Sequence, residues 1–394
     1  MSEQYHYAVV GAGRQGVAAA YDMVKWGHAA SVLLADMNGD LATRAAERIN
    51  NLIGHKVASA AQIDTRDYSA LVELLKPIDV FLCAVPFVFI LDCTRAAIEA
   101  RASMVDLGGH TDTALKQLAM NDAACAAGIT VVPDCGMGPG MNNTLGVYTI
   151  EQLQMHNAIP REVRLWDGGL PQSPPEPWGY QCSFYINGLT NEYDGQAIVL
   201  RDGVVTPVDA LTELETIEFE GVGRLEAFVT SGGTSTVPYT CEGILQVYEN
   251  KTLRYPGHYH QFKAFKELGL FREEPLSVAP GLTISPRQVY HTLLGPSIEA
   301  ERVIDICLMR AKGTGEKDGK DISLVIDLID RYDEVTGFTA MERLTGWHAA
   351  IMAQFIARRE IPPGVWTLEK AIPATRFLAE VRRRGFQITE TWEE

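Results

Sequence analysis

Three closely spaced glycines constrain the fold of this chain more than any other feature. Gly11, Gly13 and Gly16 have the spacing G-x-G-x-x-G, directly after the strand-like segment YAVV and at the start of an apolar helix. The first glycine permits a tight turn, the second lets the backbone approach a pyrophosphate, and the third lets the helix pack closely on the strand. The helix N-terminus then offers unpaired N–H groups to the phosphates. The motif predicts a dinucleotide-binding module.

An acidic residue in the expected place predicts which dinucleotide binds. Asp36 ends the second strand, where a carboxylate holds the adenosine ribose hydroxyls and repels a 2′-phosphate. Met37 and Asn38 supply no cation, so NAD is predicted rather than NADP. The remaining predicted cofactor residues lie in the glycine loop or follow later strands: Arg14, Gln15, Asp64, Ala84, Val85 and Pro86. For the last four, ordinary turn chemistry is an equal alternative.

The order of elements predicts two domains in the α/β class. Strand-like and helix-like segments alternate over residues 1–135, which predicts a Rossmann doubly wound parallel sheet. In this part Lys56–Ala58 is predicted as a strand and Thr113–Ala126 as a single helix. Residues 136–339 are predicted to form a second α+β domain with a mostly antiparallel sheet. Within it, residues 162–226 are predicted to form strands and loops. After residue 340 the chain turns helical again.

Composition excludes several classes of partner. With 34 basic and 50 acidic residues the formal charge is −16, which disfavours nucleic acid and anionic membranes because both reward clustered cations. The longest apolar run is too short to span a bilayer, and the segment MSEQYHY predicts no leader peptide. The seven cysteines form no C-x-x-C pair, so a reducing cytoplasm is expected and structural zinc is not.

Three ionisable residues are predicted at the carboxyl edge of the sheet, near the nicotinamide. Asp106 and His110 follow the fifth strand and Asp134 follows the sixth. A histidine beside carboxylates exchanges protons near neutral pH, as a dehydrogenase requires. Two structural alternatives stay open: Asp134 as the cap of a turn, and Asp106 as an acceptor for backbone N–H groups.

The second domain contains candidates for binding a substrate. Arg224 suits a carboxylate, and the hydroxyl-rich segment TSGGTST, which includes Thr234, suits a carboxylate or an amine, although such a segment is also common in plain loops. Tyr180 fits a pocket or a core equally well. His258 and His260, taken as alternating residues of a strand, share one face, but no further ligand has convincing spacing, so no metal is predicted.

The motifs taken together resemble a known family. They occur in this order: GAGRQG, LLAD, VDLGGH, PDCGMGPGMNN, RLEAFVTSGGTST, RYPGH and TAMERLTGWHAAIMAQFI. This set resembles the saccharopine dehydrogenase family, and within it the bacterial lysine 6-dehydrogenases, over nearly the whole chain. The glycine loop departs from the family pattern at Arg14 and Gln15, which place a charged side chain near the pyrophosphate.

The resemblance implies an activity and an assembly. It implies NAD-dependent oxidative deamination of L-lysine at the ε-carbon, giving 2-aminoadipate semialdehyde, which cyclises to a piperideine carboxylate. It also implies that residues 340–394 return to the first domain and that the second sheet pairs subunits into a homodimer. Asp106, His110 and Asp134 are then the candidates for proton transfer. Tyr180, Arg224 and Thr234 are the candidates for holding the α-carboxylate end.

Two other functions stay open at this point. The family also contains saccharopine-forming and carboxynorspermidine-type reductases, which join an amine to a carbonyl compound. A protein that binds NAD without catalysis is the alternative from a different class.

Overall fold

The computed structural model describes residues 4–182, 185–300 and 302–393. The first three residues of MSEQYHY lie outside the described residues. In the described ranges no helix is both long and apolar enough to cross a membrane.

The strands, in chain order, are β1 (Tyr5–Val10), β2 (Ala29–Asp36), β3 (Ala58–Gln62), β4 (Val80–Cys83), β5 (Ser103–Asp106), β6 (Thr130–Val132), β7 (Ile159–Pro171), β8 (Gln196–Arg201), β9 (Val204–Asp209), β10 (Thr212–Phe219), β11 (Gly223–Val229), β12 (Val247–Arg254), β13 (Leu276–Ala279), β14 (Leu282–Ile284), β15 (Asp305–Lys317), β16 (Lys320–Arg331), β17 (Gly364–Val365) and β18 (Ile388–Glu393). The α-helices are α1 (Arg14–Trp26), α2 (Gly39–Ile53), α3 (Tyr68–Leu75), α4 (Ile90–Ala100), α5 (Thr111–Leu118), α6 (Asn121–Ala127), α7 (Met141–Met155), α8 (Ile186–Tyr193), α9 (Val237–Cys241), α10 (His258–Glu267), α11 (Pro286–Ile298), α12 (Ala340–Glu342), α13 (His348–Ala357), α14 (Leu368–Ala371) and α15 (Ala374–Arg383). A 3₁₀ turn covers Phe87–Phe89, and a π-helical turn, Arg343–Trp347, joins α12 to α13.

The first sheet is parallel and has seven strands in the order β17-β6-β5-β4-β1-β2-β3. Without β17 this is the strand order 3-2-1-4-5-6 of a doubly wound dinucleotide-binding sheet. The order reverses between β1 and β4, so the crevice at the carboxyl ends of these two strands is where a ligand is expected. The structure confirms the predicted Rossmann sheet.

The second sheet has nine strands and is mostly antiparallel, with one parallel pair, β12 and β7. At its centre β15 pairs along its length with β7 on one side and, in an antiparallel hairpin, with β16 on the other. A buried core connects the two sheets through α7 and α13: Leu145 and Met352 belong to the same cluster as Val9 of β1 and Met309 of β15.

The C-terminal segment contributes to both sheets. β17 pairs with β6 and extends the first sheet, while α13 packs on α1, β4 and β5. β18 instead pairs with β16 along Ile388–Glu393 and forms an edge of the second sheet. Not all of residues 340–394 therefore returns to the first sheet; the predicted limits at 135 and 340 stay a prediction.

Some local predictions were wrong. The third strand begins at Ala58 rather than ending there, because Asn50 caps the backbone at residues 57 and 58. The helix predicted over Thr113–Ala126 breaks between Leu118 and Asn121, and a helix, α8, lies in the region read as strands and loops. His258 and His260 lie in α10 rather than on a strand, since Gly257 takes a left-handed conformation and starts the helix.

Candidate active site

The glycine loop forms the cradle that the sequence predicts. Gly11 has a φ of 108°, and a Cβ there would lie 2.4 Å from the carbonyl oxygen of Ala84. A Cβ on Gly16 would lie 2.2 Å from the carbonyl oxygen of Gly11. Gly13 differs, since no described heavy atom outside its immediate neighbours lies within 4 Å of a Cβ built on it. Two glycines are thus required by packing, and Gly13 faces the space where a pyrophosphate fits at the start of α1.

Asp36 is fixed at the end of β2 by two backbone donors. The N–H of Ala12, inside the glycine loop, donates to Asp36 Oδ2 at 2.9 Å, and the N–H of Asn38 donates to Oδ1 at 2.8 Å. The half-buried carboxylate therefore lies next to the cradle, in the place from which it contacts a ribose. These residues fit a nicotinamide dinucleotide.

The other predicted cofactor residues lie in different surroundings. Ala84 donates to the Val10 carbonyl at 2.7 Å and begins the segment through Val85 to Pro86 beside the glycine loop. Asp64 has a side chain that is 42% exposed, and it forms an ion pair with Arg66, which lowers the pKa of its carboxyl to about 2.

Arg14 and Gln15 face parts of the chain that come later in sequence. Arg14 Nη2 donates to the carbonyl of Ala300, 2.9 Å away, so this guanidinium contacts the second domain. Gln15 packs against Gly346 of the π turn, since a Cβ built on Gly346 would lie 2.5 Å from the Gln15 carbonyl oxygen. The glycine loop is therefore held between the second domain and the C-terminal segment.

Asp106 and Asp134 form a pair of buried carboxylates at the carboxyl edge, with 0% and 2% of their surfaces exposed. The N–H of Asp134 donates to Asp106 Oδ1 at 3.0 Å, and Gln117 Nε2 donates to Asp106 Oδ2 at 2.8 Å. Burial raises the pKa of both carboxyls, and the nearby charge of Asp106 raises that of Asp134 further. A proton near neutral pH can therefore reside on this pair.

His110 lines the same small cavity as the two carboxylates. Its ring stacks on Phe87 with centroids 4.5 Å apart, and Nδ1 lies 3.0 Å from Thr113 Oγ1. The structure thus brings Asp106, His110 and Asp134 together, as the sheet geometry predicts.

The TSGGTST segment closes this edge from the second domain. Ser235 Oγ donates to Asp134 Oδ2, and the amides of Asn142 and Asn143 both donate to the carbonyl of Gly233, at 2.9 and 3.1 Å. Thr234, predicted to hold the substrate, instead donates its hydroxyl to the carbonyl of Ile198. Within this segment Ser235, and not Thr234, contacts an ionisable group of the site.

Arg224 does not lie at the site. It is exposed next to the β10–β11 turn, six residues before Thr230, which is about 20 Å along an extended chain. The arginine on the inner side is Arg254 at the end of β12, which is 3% exposed.

Arg254 is the centre of a buried polar cluster that also contains Tyr180. Its Nε donates to the hydroxyl of Tyr193 at 2.7 Å, and its guanidinium lies 4.9 Å from the ring centroid of Tyr180. Nη2 lies 3.5 Å from Glu192 Oε2, and the Tyr193 hydroxyl is 2.8 Å from His258 Nε2. A cation held in this way can recognise a carboxylate.

Asp167 connects this cluster to the sheet edge. It is buried on β7, receives hydrogen bonds from Asn142 and Asn250, and has a pKa that burial raises to about 6 although Arg254 lowers it. A Cβ on Gly138 would lie 2.6 Å from its Oδ2, so the PDCGMGPG loop passes directly over the carboxylate.

Asp167, Arg254 and Ser235 were not among the predicted site residues. Arg254 begins RYPGH and Ser235 belongs to RLEAFVTSGGTST, so these two lie within motifs that carry the family resemblance, whereas Asp167 lies outside them. In the described part of the chain, no three His, Cys, Asp or Glu side chains are grouped in a way that would hold a metal ion.

Two family models match the chain. One, described as the saccharopine dehydrogenase NADP binding domain, matches residues 7–132, and the other, the saccharopine dehydrogenase C-terminal domain, matches residues 136–386.

Individual relatives are distant. Saccharopine dehydrogenase (NADP+, L-glutamate-forming) of Saccharomyces cerevisiae is 24% identical over 61% of this chain and 54% of its own length, so the match spans about half of that enzyme. Carboxynorspermidine synthase of Vibrio cholerae is 23% identical over 81% of this chain and 79% of its own. The solved apo structure of the yeast L-Glu-forming saccharopine dehydrogenase superposes with a TM-score of 0.80 over 99% of this chain and 100% of that one, at 18% identity. It shows that the fold is shared.

Proposed function

The chain belongs to the saccharopine dehydrogenase family, and we propose that it is an NAD-dependent oxidoreductase that deaminates L-lysine at the ε-carbon. The observation that carries this proposal is the buried pair Asp106 and Asp134 at the carboxyl edge next to the glycine cradle. Oxidation of the carbon that bears an ammonium group requires a side chain that can exchange a proton near neutral pH. The relatives' names, all of dehydrogenases or synthases, support the oxidoreductase class.

The proposed chemistry balances with one cofactor and one water. NAD, when bound, takes up the hydride from the ε-carbon. Asp134 accepts a proton from the ε-ammonium, and the charge of Asp106 stabilises the iminium that hydride loss leaves on the substrate. Water then adds to the iminium carbon, and ammonia leaves from the resulting carbinolamine to give the aldehyde.

Arg254 is our candidate for the other end of the substrate. Its guanidinium is buried, rigidly held and on the inner face of the second sheet, where it can bind the α-carboxylate. Asp167 and Glu192 supply negative charge for the α-ammonium. An amino acid with a second amine at the far end of its side chain suits a site with charge at both ends.

A reductase that joins an amine to a carbonyl compound is the second candidate, favoured by the match to carboxynorspermidine synthase along most of both chains. One assay separates the two. NADH formation with lysine alone supports the dehydrogenase, and NADH consumption only when an amine and an oxo acid or aldehyde are both present supports the reductase. Tight NAD binding without turnover in either direction would contradict both and support a non-catalytic protein.

The choice of NAD depends on Asp36, whereas the yeast relative carries NADP+ in its name. We expect Asp36→Ala to lower the kcat/KM ratio of NAD to NADP by about tenfold or more, because the contact to the ribose and the repulsion of a 2′-phosphate are both lost. Asp79→Ala is the matched control, since this exposed carboxylate, which accepts from the N–H of His6, precedes β4 and so lies at the opposite edge of the sheet. An unchanged ratio in Asp36→Ala would show that the carboxylate does not select the cofactor.

We also propose that the protein is a homodimer and that it works in the cytoplasm. All seven cysteines are free thiols and six of them are buried, which suits a reducing compartment. Light scattering of the purified protein tests the dimer.

A further inference from the structure

The two buried carboxylates have hydrogen-bond partners of different kinds. Asp106 accepts from the N–H of Asp134, the amide of Gln117 and the N–H of Gly108. The two backbone N–H groups can only donate, and Gln117 donates through its NH2 group, so each of the three contacts favours the ionised form of Asp106.

Asp134 has a partner that can reverse its role. It accepts from Ser235 Oγ and from the N–H of Gly109. A hydroxyl both donates and accepts, so Ser235 can receive a hydrogen bond from a protonated Asp134 as well as donate to an ionised one. The pair is therefore asymmetric, with Asp106 suited to the charge and Asp134 to the proton.

Thr94 determines which way Gln117 presents its amide. The Thr94 hydroxyl donates to the Ile90 carbonyl at 2.8 Å, which leaves its oxygen as an acceptor. Gln117 Nε2 donates to that oxygen at 3.1 Å and to Asp106 at 2.8 Å. Thr94 and Gln117 are 0% and 1% exposed, so water does not replace these bonds.

We propose that Gln117, oriented by Thr94, is a positioning residue that keeps Asp106 ionised and thereby places the exchangeable proton of the site on Asp134. Gln117 touches neither substrate nor cofactor in this proposal. The inference rests on the proposed function only in identifying Asp134 as the group that exchanges a proton with the amine.

His110 lines the cavity beside both carboxylates and so does not distinguish them, and the other titratable groups near the pair do not reverse this assignment. Glu369 on α14 adds a negative charge that favours a proton on Asp134. Burial and the neighbouring carboxylates raise the pKa of the Cys135 thiol, and the hydrogen bond with Cys93 together with burial raises that of Cys83, so both thiols stay neutral.

The test measures the carboxyls directly. Infrared titration of protein labelled with ¹³C in its aspartate side chains follows the C=O band of protonated carboxyls, and Asp134→Asn and Asp106→Asn assign the bands. In the native enzyme we expect the protonated band to come from Asp134, which releases its proton above its titration midpoint and is then the base that accepts one from the amine. In Gln117→Leu we expect the Asp134 midpoint to fall by about one pH unit, because Asp106 loses one donor and takes up the proton instead. The acid limb of kcat/KM should move in the same direction.

Thr94→Val is a second, milder variant in case Gln117→Leu does not fold. We expect it to lower the Asp134 midpoint as well. Thr130→Val is its matched control. Thr130 lies on β6, next to β5, and the variant removes a buried hydroxyl that donates to the carbonyls of residues 361 and 362 instead of contacting the carboxylate pair. A native band that disappears in Asp106→Asn but not in Asp134→Asn would overturn the proposal. An Asp134 titration midpoint that is unchanged in both Gln117→Leu and Thr94→Val would also overturn it. Because the infrared readout needs no turnover, it stays decisive if lysine is not the substrate.

Discussion

Arg254 is held by contacts that leave part of its guanidinium available. Of the five N–H donors of an arginine, described contacts within 3.5 Å use one on Nε toward Tyr193, one on Nη1 toward the Leu253 carbonyl and one on Nη2 toward Glu192. Glu192 is the most distant of these partners. A substrate carboxylate can therefore be recognised by a cation that is already desolvated and oriented, which is where charge-assisted hydrogen bonds are strongest.

We expect Arg254→Met to raise KM for the amino acid by about tenfold to a hundredfold while leaving KM for NAD unchanged, since a hydrogen bond to a charged group contributes about 1.5–3 kcal/mol. Steady-state kinetics with each substrate varied in turn is the measurement. Arg224→Ala is the control, because that side chain is exposed at a turn, and its kinetics should match those of the native enzyme. A larger effect from Arg224→Ala than from Arg254→Met would reverse our assignment.

These two arginines also show what sequence can predict about a site. The glycine loop, Asp36 and the residues that follow β5 and β6 were predictable, because a parallel sheet brings the ends of its strands to one edge whatever the loops do. Arg254 was not, since its position depends on how β11 and β12 pair and on which face of the second sheet packs toward the first. No local pattern distinguishes a buried arginine on a strand from an exposed one.

At the scale of elements, the π turn Arg343–Trp347 adapts the C-terminal helix to α1. Gly346 within it lies against the backbone of α1, where a Cβ would come 2.5 Å from the Gln15 carbonyl and 2.8 Å from the Ala19 nitrogen. The sequence predicted a return to helix after residue 340, but a helical pattern does not show that one turn widens where two backbones meet. The helix that starts at the phosphate cradle is thus braced from the other end of the chain.

We expect Gly346→Ala to lower the free energy of unfolding by about 1–3 kcal/mol, as is typical of overpacking, and to weaken NAD binding because α1 must shift. Urea unfolding and calorimetric titration with NAD measure the two effects. Gly295→Ala is the control: it lies in α11 of the second domain, and its Cβ would meet its nearest atoms at 3.8 Å, an ordinary contact distance. NAD affinity that is unchanged in Gly346→Ala would contradict the bracing role.

At the scale of the whole molecule, the last fifty residues connect its parts. β17 extends the first sheet, β18 extends the second, and Glu369 accepts hydrogen bonds from Thr236 and Thr240 behind the loop that carries Ser235. The two sheets and the loop that closes the site are therefore held by a single C-terminal segment. The resemblance implied only its return to the first domain; the pairing of β18 depends on an edge of β16 that exists only once the second sheet has formed.

A buried ion pair tests how much stability this connection contributes. Arg384 donates to both oxygens of Asp22 in α1, at 2.6 and 2.9 Å, and both side chains are 0% exposed. We expect Arg384→Met to lower the free energy of unfolding by about 3–5 kcal/mol at pH 7, because it leaves a carboxylate buried without its partner. Asp22→Leu/Arg384→Met should recover most of this loss, since replacing a whole buried pair by apolar side chains is often neutral.

The pH dependence identifies the uncompensated carboxylate as the cause. Burial raises the pKa of Asp22, whereas Arg384 and a hydrogen bond from Gln354 lower it, so Arg384→Met keeps the effect of burial and loses the larger of the two opposing effects. A carboxyl with a raised pKa binds its proton more tightly in the folded state, and stability therefore falls as the pH rises through that pKa. The deficit of Arg384→Met relative to Asp22→Leu/Arg384→Met should accordingly narrow when urea unfolding is repeated at pH 5. An equal deficit at both pH values would mean that lost packing, and not the buried charge, destabilises the variant.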